Sequence, residues 1–414
     1  MIHCMVALLF VNLAGDTQEQ VRGVDCGTLH GKVMCGYQGW FNCEGDGAGL
    51  GWTHWTKDRF KPFARDNVKI DLWPDVSELG QAERFATGFS HVNGQPAEVF
   101  SSFNRETVLR HFRWMQEYGI DGAFVQRFAI DLDDESVLRH RNTVLKNAAE
   151  GAQRAKRCYA VMYDLTGLKA EQVKGICTDW QALRKTLKIS LDSAYLHHNG
   201  KPVVAVWGVG FGDGRAYSLV ECKDLVSFLV ADGCSVMLGV PTGWRDGNRD
   251  SVDDPMLHEI IQMADVVCPW TVGRYRTPEQ AYEHGKKVWE PDLAWCRKNR
   301  LDYLPVVFPG FSWHNLTGEK LDDIPRMKGE FLWSQFIAAK RAGCRMIYVA
   351  MFDEVDEGTA IFKCTNDPPD GNGALFLTCE GLAPDHYLRL TGEGARMLRG
   401  EIPADGKMPA VFGQ

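Results

Sequence analysis

The chain predicts an α/β fold, a single (β/α)8 TIM barrel with a long insertion after its first strand. Three observations predict it. Eight short apolar runs rich in β-branched and aromatic residues recur along the 414 residues. Segments with helical periodicity separate them. The strand-like runs are apolar throughout instead of alternating, as strands covered on both faces must be. About eight such units in a chain of this length argue for a closed barrel. A doubly wound open sheet is the alternative, but no GxGxxG follows the first strand, so a dinucleotide site has no support.

The expected strands, in order, are Val33–Tyr37, Gly122–Gln126, Tyr159–Tyr163, Val203–Trp207, Ser235–Val240, Val266–Trp270, Leu304–Phe308 and Met346–Met351. The expected helices are Arg105–Tyr118, Asp134–Arg157, Asp179–Leu191, Leu219–Asp232, Pro255–Met263, Pro278–Lys298 and Lys328–Ala342. Glycine-containing steps such as Tyr118-Gly119-Ile120-Asp121 and Arg341-Ala342-Gly343-Cys344 look like helix C-caps turning into the next strand. The segment from Asn42 to Asn104 is too long for an ordinary βα loop and is rich in Gly, Trp and His. Insertions of this kind at a barrel's working face build clefts. Residues 21–414 are expected to form one barrel domain. Residues 1–20 contain Cys4–Gly15, which resembles the apolar core of a secretory signal without a preceding Lys or Arg, so a secreted or periplasmic protein is expected. Most of the 13 Cys sit in apolar runs and read as small buried hydrophobes, Cys158 among them, while Cys364 and Cys379 flank a polar loop and are candidates to pair.

Composition narrows the function classes. The net charge is -8 and Lys and Arg are scattered, so nucleic acid and anionic membrane are not expected partners. No other stretch is long and apolar enough to span a membrane. The 13 Trp, 11 Tyr and 21 Phe include several Trp in Gly- and Asp-rich loops, the placement used to stack on sugar rings. A monomer or small homo-oligomer is expected.

The ends of the strands carry the chemistry. Gln38 and Trp40 follow Tyr37 at the first strand; Gln126 and Arg127 end the second; Tyr163 and Asp164 end the third; Trp207 closes the fourth. Trp244 and Arg245 follow the fifth; Trp270, Arg274 and Tyr275 follow the sixth; Trp313 and His314 follow the seventh. The eighth runs into Asp353, Glu354, Asp356 and Glu357. Carboxyls this close cannot all ionise cheaply, so at least one should keep its proton near neutrality, as a general acid must. Aromatic faces and polar groups converging on one end of a barrel fit a sugar-binding cleft. No HxH or HExxH occurs, no GxSxG elbow occurs, and no cofactor is expected.

The stretch Phe352–Ile361, with its Glu-x-x-Glu-Gly-Thr, resembles the motif of glycoside hydrolase family 99, and Gly36–Phe41 resembles the aromatic first-strand motif of family 71/99-like proteins. The resemblance implies a retaining hydrolase of α-linked glycans that works without metal. It implies Glu354 as the base on the sugar's own 2-hydroxyl and Glu357 as acid and then base at the glycosidic oxygen. It leaves Tyr37, Trp40, Gln126, Arg127, Asp164, Trp207, Trp270, Arg274, Tyr275, Trp313, His314, Asp353 and Asp356 as candidate substrate-binding residues. The chain departs from the family at Val355 and Asp356, where family 99 has an aromatic and a histidine, and at Asp164, where the family has a glutamate. Two other readings stay open: a barrel that binds glycan without cleaving it, and a hydrolase using a divalent ion at Asp353, Glu354 and Asp356.

Overall fold

The computed structural model describes residues 23–371 and 373–409. The leader-like segment lies outside them. Eight barrel strands are labelled here β1 (Val33–Tyr37), β2 (Gly122–Phe128), β3 (Cys158–Asp164), β4 (Lys201–Trp207), β5 (Ser235–Val240), β6 (Val266–Pro269), β7 (Asp302–Tyr303 and Val306–Val307) and β8 (Ile347–Val349). All neighbouring pairs among them are parallel. The expected α/β barrel is borne out.

Closure runs through β7. Its first half pairs with β6, Asp302 opposite Val266 and Tyr303 opposite Val267. Its second half pairs with β8, Val306 opposite Tyr348 and Val307 opposite Val349. The switch falls at Leu304-Pro305. Proline has no N–H for a ladder bond, but its carbonyl accepts from Tyr348 N at 3.0 Å while Leu304 N donates to Val267 O at 2.9 Å. The expected strand Leu304–Phe308 is therefore real but serves its two neighbours in succession.

The helices α1 (Arg105–Glu117), α2 (Glu135–Ala155), α3 (Val173–Thr186), α4 (Leu219–Ala231), α5 (Pro255–Met263), α6 (Pro278–His284, continuing through a π turn into Glu290–Lys298) and α7 (Glu330–Ala342) form the outer layer. Their starts are written in the sequence: Asn104, Asp134, Ser218, Asp254 and Thr277 each accept a backbone N–H as N-caps, the last two just before a proline. The α3 helix begins six residues before the expected Asp179. Its first turns contain Val173, Gly175 and Ile176, poor helix formers, but Val173, Ile176, Trp180 and Leu183 bury one continuous face that overrides propensity. A helix α8 (His386–Arg399) was not anticipated and packs beside α7.

The Asn42–Asn104 insertion carries an antiparallel hairpin (Arg84–Ser90 with Pro96–Phe100) and packs Trp55, Phe63, Trp73, Phe89 and Phe100 with Phe41 into a dense aromatic cluster. Cys158 is not a free buried thiol: it is bridged to Cys26, which ties the chain's incoming segment to the start of β3. Cys364 and Cys379 do not pair; both are buried free thiols, and Cys379 Sγ lies 3.0 Å from the Cys364 carbonyl oxygen.

Arg127 corrects one expectation. It is 2% exposed and points away from the working face into a bidentate pair with Asp179 (2.6 and 2.5 Å), whose carboxylate also accepts from Tyr163 Oη at 2.6 Å. It locks α3 to β2 and β3. Removing one partner strands a buried charge, so Arg127→Met should lower unfolding free energy by about 3–5 kcal/mol in denaturant titration, and the double variant Arg127→Met/Asp179→Leu should lose less.

Candidate active site

The β8 strand ends at Val349, and the following residues are organised by donors from three separate segments. Asp353, fully buried, accepts Gln38 N and Gly39 N at 2.8 Å each, which clasps the end of β8 to the end of β1. Gly39 sits at φ 55°, and its carbonyl accepts from His140 Nε2 at 2.9 Å. Glu354 Oε1 accepts from Gln38 Nε2 at 2.5 Å and Oε2 from Thr359 Oγ1 at 2.7 Å. The turn that brings Thr359 back needs Gly358 at φ 65°, where a Cβ would press within 3.0 Å of Ser312 N. Arg326 Nη2 holds the carbonyls of Gly358 and Ala360 at 2.7 Å each. The Gly-Thr after the second glutamate thus aims the first.

Asp356 is served by the insertion. Its Oδ2 lies 3.1 Å from both Lys69 Nζ and His54 Nδ1, and those two nitrogens are 3.1 Å from each other. The His54 ring stacks flat on Trp40, centroids 3.6 Å apart and planes 5° off parallel.

Glu354 and Glu357 open onto a cavity of about 470 Å³ at the C-terminal end of the strands. Trp40, Phe128, Trp207, Trp270, Phe311 and Trp313 supply its aromatic walls, with Gln38, Gln126, Asp164 and Arg215 among its polar lining. Buried polar atoms on these walls, among them Gln38 Oε1, Trp40 Nε1, Gln126 Oε1 and Trp207 Nε1, have no hydrogen-bond partner among the described residues. Buried polar atoms without partners are rare unless a ligand completes them.

Electrostatics divides the acids. Burial, then the charges of Glu357 and Asp356, push Glu354 well above the usual carboxylate range. Burial and Asp356 push Glu357 up to about 7, with Lys69 opposing. The two titrate as a pair. Burial raises Asp353 to about 7 against its backbone donors. Asp356 goes the other way: burial alone would raise it, but Lys69 and His54 bring it down and keep it ionised. Burial, then Lys69, lowers His54 to about 4, so its ring is neutral at pH 7. Asp164 is also raised by burial.

Of the expected site residues, Trp40, Gln126, Asp164, Trp207, Trp270, Arg274, Trp313, Glu354 and Glu357 line the cavity. Others do not. Tyr37 is fully buried beneath it, bonded to His111 Nδ1 at 2.9 Å, because β1 turns its side chain into the core. Tyr275 is buried against Gln335 (2.9 Å). His314 is drawn away by Asp71, which accepts its backbone N–H at 2.7 Å, while its ring meets the Glu319 carbonyl. Asp353 and Asp356 support the cavity from behind. Phe128, Arg215, Phe311, Lys69 and His54 were not picked out as site residues; nothing local in the sequence pairs Lys69 with Asp356, 287 positions away.

The three carboxyls considered for a divalent ion face different partners: Asp353 two backbone N–H groups, Glu354 the cavity, Asp356 a lysine. They do not form one donor set. A His30–His198–Asp302 cluster does lie at the opposite end of the barrel, with Nε2 to carboxylate distances of 2.9 Å each. Arg345 donates to His30 Nδ1 (3.2 Å) and Leu29 N to His198 Nδ1 (3.3 Å), so both rings carry their proton on Nε2 and give it to Asp302. That arrangement is a hydrogen-bonded clasp between chain segments, with the ligand nitrogens already occupied by protons.

No family model matches the chain. A glycoprotein endo-alpha-1,2-mannosidase-like protein of Danio rerio is 29% identical over 113 residues, 26% of this chain and 24% of that protein, so the match spans about a quarter of that relative. The GH99 endo-alpha-mannosidase of Bacteroides thetaiotaomicron superposes with a TM-score of 0.63 at 16% identity, over 90% of this chain and 98% of that one. A glycoside hydrolase-like protein superposes with a TM-score of 0.50 at 13% identity, over 82% of this chain and 98% of that one. The likeness to glycoside hydrolase family 99 carried by Glu354–Thr359 therefore extends to the fold of nearly the whole chain.

Proposed function

We propose that this protein is a glycoside hydrolase that cleaves α-linked oligo- or polysaccharides with retention, using Glu354 and Glu357. The observation that carries the reading is the pair itself: two carboxyls with raised proton affinity facing one aromatic-walled cavity at the catalytic end of a barrel. The likeness to glycoside hydrolases in sequence and fold supports it.

The division of labour follows the likeness to glycoside hydrolase family 99, which makes Glu354 the base; the hydrogen bonds it accepts from Gln38 and Thr359 favour its ionised form against the burial that raises it. Glu357 keeps the proton and is the acid. In the first step Glu354 takes the proton of the sugar's 2-hydroxyl as that oxygen bonds to the anomeric carbon; the glycosidic C–O bond breaks, and Glu357 protonates the departing oxygen. In the second step Glu357 takes a proton from water, whose oxygen opens the 1,2-anhydro ring at the anomeric carbon, and Glu354 returns its proton to the 2-oxygen. Two inversions give net retention. The chemistry needs no separate nucleophile, so the spacing rule for two-carboxylate retaining enzymes does not apply. Export is part of the proposal, and the Cys26–Cys158 bridge supports it, since such bridges persist in oxidising compartments.

Glu354→Gln and Glu357→Gln should each reduce turnover of a cleaved α-glycoside by about 10²–10⁴-fold with little change in melting temperature. Full activity in either variant would sink the assignment, and tight glycan binding by the wild type with no reducing ends released would favour a binding protein.

The alkaline limb of catalysis should answer to Asp356 and Lys69 in opposite directions. Glu357 works protonated, so activity falls as pH rises through its pKa, near 7. Lys69→Met removes the charge that lowers it, and the alkaline limb of kcat/KM should move up by about one pH unit; Asp356→Asn removes the charge that raises it, and the limb should move down similarly. Shifts of the same sign in both variants would refute the assignment of Glu357 as the acid.

A further inference from the structure

The cavity adjoins a second feature across Arg274. Arg274 lines it and also lines a neighbouring groove of about 350 Å³, walled by Arg249 from the loop after β5, Arg276 from the loop after β6, and Glu283, His284 and Lys287 from α6. Four cations gather here in a chain whose net charge is -8. Three have counter-ions: Arg274 Nη2 meets Asp250 Oδ2 at 2.7 Å, Arg276 Nη1 meets Asp323 Oδ2 at 2.5 Å, and Lys287 Nζ meets Glu283 Oε1 at 2.8 Å. Those cationic side chains are 43%, 52% and 70% exposed, and pairs this open are weak and readily exchanged for a ligand's charge. Arg249, exposed, has no hydrogen bond or ion pair among the described residues.

His284 is the independent observation. It lines the same groove yet is only 8% exposed, and its Nε2 is buried without a partner among the described residues. Burial, then the nearby charge of Arg249, lowers it to about 3, so the ring is neutral and offers a hydrogen bond without a competing charge. An orphaned imidazole nitrogen beside the unpaired Arg249 and the openly paired Arg274 and Arg276 suits a compact oxyanion, which takes charge from Arg and Lys and a directed bond from His. The chemistry at Glu354 and Glu357 uses none of these groups.

We propose that this groove is an anion subsite, which binds the anionic substituent, a sulfate ester or a uronic carboxylate, of a sugar adjoining the one whose bond is cleaved. Arg274 places the substituent next to the catalytic cavity. The inference rests on the glycosidase reading for the sugar, but not for the anion. It gives the substrate class that the catalytic pair leaves open: a charged glycan.

The test separates the two. Full-length protein labelled with ¹⁵N-histidine is titrated with inorganic sulfate, glucuronate and glucose, following the His284 nitrogens, assigned by their loss in His284→Gln. Sulfate or glucuronate should give a saturable shift and glucose none, and the tighter anion identifies the substituent. Arg249→Ala/Arg276→Ala should weaken that binding by about tenfold or more. No saturable shift with either anion, or an unchanged one in the double variant, overturns the subsite. On an oligosaccharide that the enzyme cleaves, the same variant should lose preference for the sulfated or carboxylated form and keep the rate on the neutral form; an equal fall on both also overturns it. Anion binding without cleavage of any glycan would overturn the glycosidase reading and leave the anion site standing.

Discussion

Four carboxyl groups within five residues can share one strand end only if each is given different partners. That constraint organises this molecule. Asp353 is satisfied by the backbone of the first βα turn, Asp356 by Lys69 and His54 of the insertion, and Glu354 by Gln38 and Thr359. Glu357 faces the cavity beside Glu354, raised to about 7 by burial and Asp356 with Lys69 opposing. Like charges at this range otherwise force protonation at random; the partners decide where the proton and the charge reside.

The barrel is what makes those partners available. Strands β1 and β8 are neighbours because the sheet closes through the divided β7, so the first turn of the chain meets the last strand. The insertion then folds over this seam. Backbone N–H groups of Asp71 and Leu72 donate to the Val355 carbonyl at 3.0 and 3.3 Å, and the Asp71 side chain holds the loop after β7. An acidic run that would be a solvated turn on an open sheet is here buried, walled and divided into a pair that faces the cavity and a pair held behind it.

The departure from the family motif at Asp356 has a structural counterpart. A buried anion between the two glutamates raises both, and the chain offsets it with a lysine and a neutral histidine stacked on a cavity tryptophan. The insertion therefore sets the electrostatics of the site as well as its walls.

The order of strands and helices was legible because continuous apolar runs, N-caps and glycine turns are local signals. So was the catalytic-end placement of Glu354, Glu357 and the tryptophans, which follows from strand ends alone. Local signals could not say which way a side chain turns at those ends. Tyr37, Arg127, Tyr275 and His314 have the same chemistry and position as true lining residues, but the first three found partners within the fold and the His314 ring turned to the Glu319 carbonyl. Partners distant in sequence, Lys69 for Asp356 and Cys26 for Cys158, are chosen by the closed barrel and its insertion. The sequence by itself determined the periodicity, and with it the barrel and the acids at its mouth. Only the tertiary structure decided which acids face the cavity and which are neutralised, because proton affinity depends on burial and on charges brought close by folding.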